Sequence, residues 1–398
     1  LGALTKGSGE GLSEAEVELG ASFAQFVNAP HALPVAGARG GLWHILKWVE
    51  GRYGLGEVVV PALTASIVPN VVLAAGFDVR FVDVDPHTFT ADADALLSAV
   101  GEDTRAVVVT HLEGFPVRTD QVVEALKSRD IWVIEDAAHA PGSAIGGRPV
   151  GSIGHAAIFS LGKGKHLNAL DGGLVSTTER ELYDYLCATL SEMPGPGRGT
   201  VIKKVAMVSA MGLLTRRVLF DLTLWPGLQL YAKRGKDPLY ENFEDALEPP
   251  GPEGPSAAHR RLGPVQARLA INALRRFGAQ LKRRRSLHKT LRSAASEDCA
   301  IQQEIEGTTP APLEFVVRCR DRMEARRNLR NLGIDSQPTW MVSPHQLPAF
   351  REAAGSAFPV AKELAEQLLY LPFYPGLHAG ELTRLADLLS HSSKLPGL

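Results

Sequence analysis

Six short runs rich in valine, isoleucine and alanine recur between residues 58 and 177: Val58–Pro61, Val79–Asp83, Ala106–Thr110, Ile131–Glu135, Ala156–Ser160 and Gly173–Thr177. Segments with apolar residues at helical spacing, such as Asp120–Ser128, separate them. Strands without polar alternation that take turns with helices belong to a mostly parallel sheet covered on both faces. The expected large domain spans about residues 20–250. After Pro249-Pro-Gly-Pro-Glu-Gly-Pro255 the pattern changes to long basic amphipathic helices, beginning with Leu262–Arg292. The proline and glycine cluster reads as the boundary of a smaller C-terminal α/β domain, 251–398. Residues 1–19 are expected as an arm or as an attachment of that smaller domain.

Charge excludes some functions. With 42 basic against 44 acidic side chains the net charge is −2, so counterion release offers little drive for nucleic-acid binding. The basic run Arg275, Arg276, Lys282, Arg283, Arg284, Arg285, Lys289 and Arg292 reads as the solvated face of a helix. The apolar side of that helix carries Ala267, Ala270, Ile271, Leu274 and Leu281. Cys187, Cys299 and Cys319 are odd in number and lack metal-ligand spacing. No metal site is expected. With neither a signal peptide nor a membrane-spanning run in view, the expected location is the cytoplasm.

The chemistry concentrates around Lys165, in Phe159-Ser-Leu-Gly-Lys-Gly-Lys-His-Leu-Asn-Ala-Leu-Asp-Gly-Gly173. A lysine amine is a poor nucleophile while protonated, so a Schiff-base lysine needs surroundings that lower its pKa. Lys163 projects from the same loop and competes for the role, and glycines at 162 and 164 also suit a plain surface turn. Asp136 follows the run Ile131–Glu135. A carboxylate at the C-terminal end of a buried strand stands in the ligand crevice of an open sheet and can keep a pyridine nitrogen protonated. A helix cap before Ala137-Ala-His-Ala140 is the other reading of Asp136. His139, one helical turn on, is either a ring contact or a packed histidine. Ser160 ends the next run and offers a hydroxyl to a phosphate. Val35-Ala-Gly-Ala-Arg-Gly-Gly-Leu42 forms a small-residue turn entering a helix, whose free amides favour an anion, with Arg39 adding a charge-assisted contact. Amine, carboxylate, hydroxyl and anion-binding turn together point to pyridoxal 5'-phosphate.

These segments, in their order, resemble the DegT/DnrJ/EryC1/StrS family of pyridoxal-phosphate enzymes, known mainly as nucleotide-sugar aminotransferases. The resemblance rests on Val58-Val-Val-Pro-Ala-Leu-Thr64, Phe81-Val-Asp-Val-Asp-Pro86, Thr110-His-Leu-Glu-Gly-Phe-Pro116 and Ile134-Glu-Asp-Ala-Ala-His-Ala140. It also rests on the lysine loop ending in Asp171-Gly-Gly173 and on Phe358 to Leu377. It implies the fold type I architecture, a mostly parallel seven-stranded sheet between helices with a smaller C-terminal α/β domain. It places Lys165 on the family's Schiff-base lysine, Asp136 on the pyridinium partner and Ser160 on a phosphate ligand. Homodimers with shared active sites are implied as well.

Four departures accompany the resemblance. Ala38-Arg39 replaces the family's Gly-Thr phosphate turn, and Ala65 stands where an aromatic commonly follows the threonine matching Thr64. His259 stands two residues before Arg261, where an asparagine from the neighbouring subunit is usual. Asp171 replaces a frequent glutamate. The implied reaction is transamination from an amino acid, typically glutamate, to a keto-sugar linked to a nucleotide. Lys165 would act as general base and acid, and Asp136 would stabilise the carbanionic charge. Dehydration or carbon–carbon cleavage on the same scaffold, and a non-catalytic regulatory relative, are the alternatives. Trp340–His345 are candidate acceptor contacts.

Residues 201–236 stand apart. Apolar patches there are flanked by Lys203, Lys204, Arg216, Arg217, Lys233, Arg234 and Lys236 against Asp221. Such a segment either lies on an anionic membrane surface, which would suit an amphiphilic or lipid-linked acceptor, or forms a helical hairpin buried between subunits.

Overall fold

The computed structural model describes residues 11–214, 219, 222, 248–297, 299–391 and 397. Its centre is a seven-stranded sheet in the order His31–Val35, Gly173–Thr177, Ala156–Ser160, Trp132–Asp136, Thr104–Thr110, Glu57–Pro61, Asp78–Val82. The last five strands in that order run parallel, and Gly173–Thr177 pairs antiparallel on both of its sides.

The strands lack polar alternation because both faces are covered. Val58, Val60, Ala106, Val108 and Ile134 pack under the helices Ala38–Tyr53, Ile67–Ala74 and Arg180–Glu192. Their neighbours Val59, Val107, Val109 and Val133 face the opposite side, in a cluster with Leu96, Val122 and Leu126 from the helices Ala93–Ser98 and Thr119–Leu126. Farther along that face, Phe159 and Leu174 meet Leu19 and Phe23 of the helix Glu14–Val27 and Phe277 of the helix Pro264–Ala294. Each fully buried aliphatic or aromatic side chain contributes roughly 1.5–3 kcal/mol of transfer free energy, so the sheet is a stiff base for whatever its C-terminal edge presents.

The smaller sheet runs Phe315–Arg318, Leu368–Leu371, Gln337–Pro338, antiparallel throughout. Alternation along its middle strand decides what reaches the large sheet. Leu369 and Leu371 join a cluster with Leu287 and Leu385, whereas Leu368 and Tyr370 turn to the cluster built on the parallel strands. Asp83 adds a polar tie, accepting from the amides of Val360 and Ala361 at 3.1 and 2.8 Å. These amides open the helix Pro359–Gln367, where a carboxylate is favoured.

Two expectations change on inspection. The long helix Pro264–Ala294 does not lie on one side of a boundary near residue 251. Ala267, Ala270, Ile271, Phe277 and Leu281 pack in the large-sheet core, and Leu287 and Leu291 in the small one. Its arginines do more than face solvent. Arg284 donates to the carbonyls of Leu313 and Phe373, Arg285 to those of Pro310 and Gly142, and Arg292 to that of Gln302. The helix Glu14–Val27, covering part of the expected arm, packs on this long helix through Glu18 with Arg268 and Arg275.

Candidate active site

A cavity opens at the C-terminal edge of the parallel strands, where an open α/β sheet binds its ligands. Ala38, Arg39, Asp136, His139, Ser160 and Lys165 all line it. Six of the eight residues expected from the sequence therefore converge.

Asp136 is the last residue of its strand. It accepts from the Ala138 amide at 3.1 Å within a turn, and residues 137–142 form no helix. The helix-cap reading is thereby replaced, and His139 is presented by the turn and not one helical turn on. Burial raises the Asp136 carboxyl above its ordinary value, opposed by the Ala138 amide and the Lys165 charge. A cation brought against it therefore gains more than it would in water.

Lys165 and Lys163 separate clearly. Lys163 is exposed, whereas Lys165 is half-buried; its amine meets His139 Nε2 and lies 5.1 Å from the centre of the Trp340 ring. Burial lowers the Lys165 pKa against the pull of Glu113, Asp136 and Glu314, the direction a nucleophilic amine requires. The loop holding it ends at Gly172, whose φ is +118° and where a Cβ would stand 2.3 Å from Leu262 Cδ1. Glycine alone fits there. Asp171, the departure from glutamate, accepts from Gly172 at 2.8 Å and from Arg260 at 3.2 Å, anchoring the loop to the segment after Ser256–His259.

Ala38 and Arg39 are the first residues of the helix Ala38–Tyr53, with Gly37 at its cap. Backbone amides and the macrodipole are thus available to an anion without a threonine hydroxyl. Ser160 ends its strand facing the same cavity and accepts from Gly162 at 3.3 Å. The amine, the buried carboxylate and this anion-binding helix start stand around one cavity, so the donor set fits pyridoxal phosphate.

Thr64 and His259 lie elsewhere. Thr64 is buried and its hydroxyl has no partner, but its neighbour Ala65 lines the cavity. Thr64–Ala65 pairs with Met341–Val342, setting Met341 opposite Ala65, so Met341 and Ile67 supply apolar surface where an aromatic is absent. His259 is exposed on this chain, and its ring meets the Glu253 carbonyl at 2.7 Å. Of the segment 201–236, the residues 215–218, 220–221 and 223–236 lie outside the described residues. The helix Arg198–Leu214 exposes Ile202, Val205, Met207 and Leu213. Among the described residues no helix is long and apolar enough to cross a membrane.

Glu113 lies in the Thr110–Pro116 segment, but the sequence assigns it no role of its own. It is wholly buried beside His139 and accepts from the Tyr370 hydroxyl at 2.6 Å. Its only local mark is a left-handed backbone, φ 53°. The partner that gives it meaning is 257 residues away.

Sheet order, crevice and donor set define a fold type I pyridoxal-phosphate-dependent enzyme. The chain belongs to the DegT/DnrJ/EryC1/StrS aminotransferase family, whose model matches residues 6–206 and 235–390 and leaves 207–234 unmatched. Among curated relatives, the GDP-perosamine synthase of Escherichia coli O157:H7 is 37% identical over 128 residues, 32% of this chain and 35% of its own length. The GDP-4-keto-6-deoxy-D-mannose 3-dehydratase of Yersinia pseudotuberculosis is 35% identical over 130 residues, 33% of each. These matches span about a third of the relatives' lengths. Among solved structures, DesV of S. venezuelae superposes with a TM-score of 0.73 at 25% identity, covering 97% of this chain and 91% of that one.

Proposed function

We propose that the protein is an aminotransferase that moves an amino group from an amino acid, glutamate in the first instance, to a keto-sugar carried on a nucleotide. The observation that carries this reading is the Lys165 amine, buried enough to be held below its usual pKa, in the same cavity as Asp136. Pyridoxal phosphate, when bound there, supplies a carbonyl for amines and an electron-withdrawing ring. The residues do the rest. Asp136 keeps a ring nitrogen protonated and offsets charge as a substrate carbon loses its proton. Lys165, neutral at the moment of need, takes that proton and returns it. Arg39, the amides opening its helix and Ser160 hold the phosphate. His139 orients the amine. GDP-perosamine synthase and the dehydratase among the relatives support a nucleotide-linked sugar as the acceptor class.

The finer assignments follow the same reading. The working unit is a homodimer in which His259, exposed on its own chain, faces the cavity of the partner. Ile202, Val205, Met207 and Leu213, exposed on the helix Arg198–Leu214, are covered between the two copies. The division into domains falls at residues 20–250 and 251–398, bridged by the long helix, and the location is cytoplasmic. Sedimentation through a dilution series tests the dimer. Flotation with anionic liposomes tests the competing surface, and co-flotation at physiological salt would replace the dimer contact with a membrane one. The substrate class is tested by single-turnover spectroscopy of the protein in its pyridoxamine phosphate form. Nucleotide-linked keto-sugars should consume that form faster than simple keto-acids; equal rates for both would remove the sugar assignment.

A further inference from the structure

His139 faces Lys165 with one ring nitrogen and Glu113 with the other. Nε2 meets the lysine amine. Nδ1 meets Glu113 twice: the Glu113 backbone N–H donates to it at 3.3 Å, and Glu113 Oε2 lies 3.5 Å away. Oε2 is buried without a hydrogen-bond partner. Oε1 accepts from Tyr370 at 2.6 Å, the Tyr370 and Thr339 hydroxyls are 2.8 Å apart, and the Thr339 oxygen accepts from the Met341 amide at 3.1 Å. The Tyr370 proton, given to Oε1, sets the direction of the chain. Thr339 donates to Tyr370, Tyr370 donates to Oε1, and Oε2 is left to serve Nδ1. A single residue therefore offers Nδ1 a backbone donor and a side chain that can give up or hold a proton.

We propose that Glu113 is a positioning residue for Lys165, exchanging a proton with the amine through the two ring nitrogens of His139. In one state the carboxyl proton sits on Oε2, Nδ1 is unprotonated, and Nε2–H donates to a neutral amine. In the other, the Oε2 proton has moved to Nδ1 and the Nε2 proton to Nζ, leaving a carboxylate, the Nδ1–H tautomer and an ammonium. Two protons each move one place, the ring ends neutral, and the total charge of the three groups is unchanged. The exchange requires the Nδ1 to Oε2 contact to close from 3.5 Å to a hydrogen bond of about 2.8 Å, and the Glu113 amide, which donates to the unprotonated Nδ1, to release it.

The surroundings favour this exchange over a charged ring. Burial, with the Lys165 and His166 charges, holds the His139 pKa well below its usual value, so the ring passes protons between neutral tautomers. Burial pushes the Glu113 carboxyl up to about 7, against the Tyr370 hydrogen bond and the Lys165 charge, so it can be neutral or charged near neutral pH. Asp136 also faces Lys165 from the sheet. Glu314, raised by burial and by Glu113 to about 8, adds a further acid beside Arg284. Of these acids, Glu113 is the one in contact with the His139 ring.

The inference rests on Lys165 as the reacting amine, and its test uses the cofactor-free protein so that its failure is distinct from failure of the aminotransferase reading. Competitive acylation of Lys165 across a pH series, read by mass spectrometry, gives the midpoint of the amine. Nitrogen-15 shifts of His139 give its tautomer. In the wild-type protein the ring proton should sit on Nδ1 at pH values where Lys165 is an ammonium and Glu113 a carboxylate. Glu113→Gln should lower the midpoint by about one pH unit, since the carboxylate that favours the ammonium is gone, so that at a pH between the two midpoints the variant's ring proton is on Nε2 and the wild type's on Nδ1. Tyr370→Phe removes a donor that favours the Glu113 carboxylate and should shift the midpoint in the same direction by less. A structural role alone would change thermal stability and neither readout. Unchanged midpoints in the variants, or the same His139 tautomer in wild type and Glu113→Gln at that intermediate pH, would overturn the proposal. If Glu113→Gln does not fold, the Tyr370→Phe midpoint decides.

Discussion

Glu135 and His111 form a wholly buried pair one residue before the candidate ring partner, with His111 Nε2 3.1 Å from Glu135 Oε2. His111 Nδ1 accepts from the Val117 amide, so the proton is on Nε2 and points at the carboxylate. Glu135 Oε1 accepts from the amides of Gly151, Ile153 and Gly154 at 3.1, 3.1 and 2.9 Å. The pair fixes the strand end from which Asp136 projects. Burial alone would raise the Glu135 carboxyl, but the His111 contact and the amides outweigh it and leave the pKa lowered.

A lowered carboxyl contributes stability that is fully present above the unfolded value of about 4.3 and is lost as pH falls through the folded value. Glu135→Gln should therefore cost about 1.5–3 kcal/mol at neutral pH. The gap to wild type should narrow as pH drops below about 4. Urea denaturation at neutral and acidic pH measures both quantities, and a gap that is constant with pH would show that the Glu135 charge is not involved.

Gly40 lets the helix Ala38–Tyr53 touch the segment Ser256–His259, since a Cβ there would stand 2.5 Å from the Ala257 carbonyl oxygen. Gly40→Ala should destabilise the fold by about 1–3 kcal/mol through overpacking and should weaken cofactor binding by displacing the helix start. Thermal denaturation and titration of the cofactor-free variant with pyridoxal phosphate report the two effects. Retained affinity together with lost stability would separate the helix start from phosphate binding.

Asp136→Asn keeps the shape of the side chain and removes its charge. The variant should still link pyridoxal phosphate to Lys165, while the amino-donor half-reaction slows by about 10²–10³-fold, the scale of losing one electrostatic contact that acts in the transition state. Stopped-flow spectroscopy after adding glutamate measures this. An unchanged rate would remove Asp136 from its role at the ring.

Much of the fold could be read from local pattern, because strands covered on both faces carry uninterrupted β-branched runs. The six runs between residues 58 and 177 correspond to strands of the large sheet. His31–Val35 has no such run because His-Ala-Leu-Pro-Val carries a histidine and a proline; it forms one edge of the sheet and, among the described residues, pairs with Gly173–Thr177. At the site, Lys165, Asp136, His139 and Ser160 lie on a strand end, a turn or a glycine-flanked loop, each with a recognisable spacing. Glu113, inside the Thr110–Pro116 segment, and Trp340 and Met341, among the candidate acceptor contacts, carry no such spacing. Glu113 depends on Tyr370 from the small sheet, and Trp340 on the lysine loop packed beneath it. The arginines of the long helix carry no local sign of their role, since the carbonyls of Leu313, Pro310 and Gln302 that they meet lie 10 to 29 residues away.

The central claim is that Lys165 holds pyridoxal phosphate and that the assembled site accepts an amino group. The most direct measurement is the visible absorbance of the purified protein with pyridoxal phosphate, followed on adding glutamate, in wild type and in Lys165→Ala. The wild-type protein should show the lysine-linked band and convert stoichiometrically to pyridoxamine phosphate, and Lys165→Ala should show neither. A lysine-linked band that survives in Lys165→Ala, or a wild-type band that no amino donor converts, would contradict it.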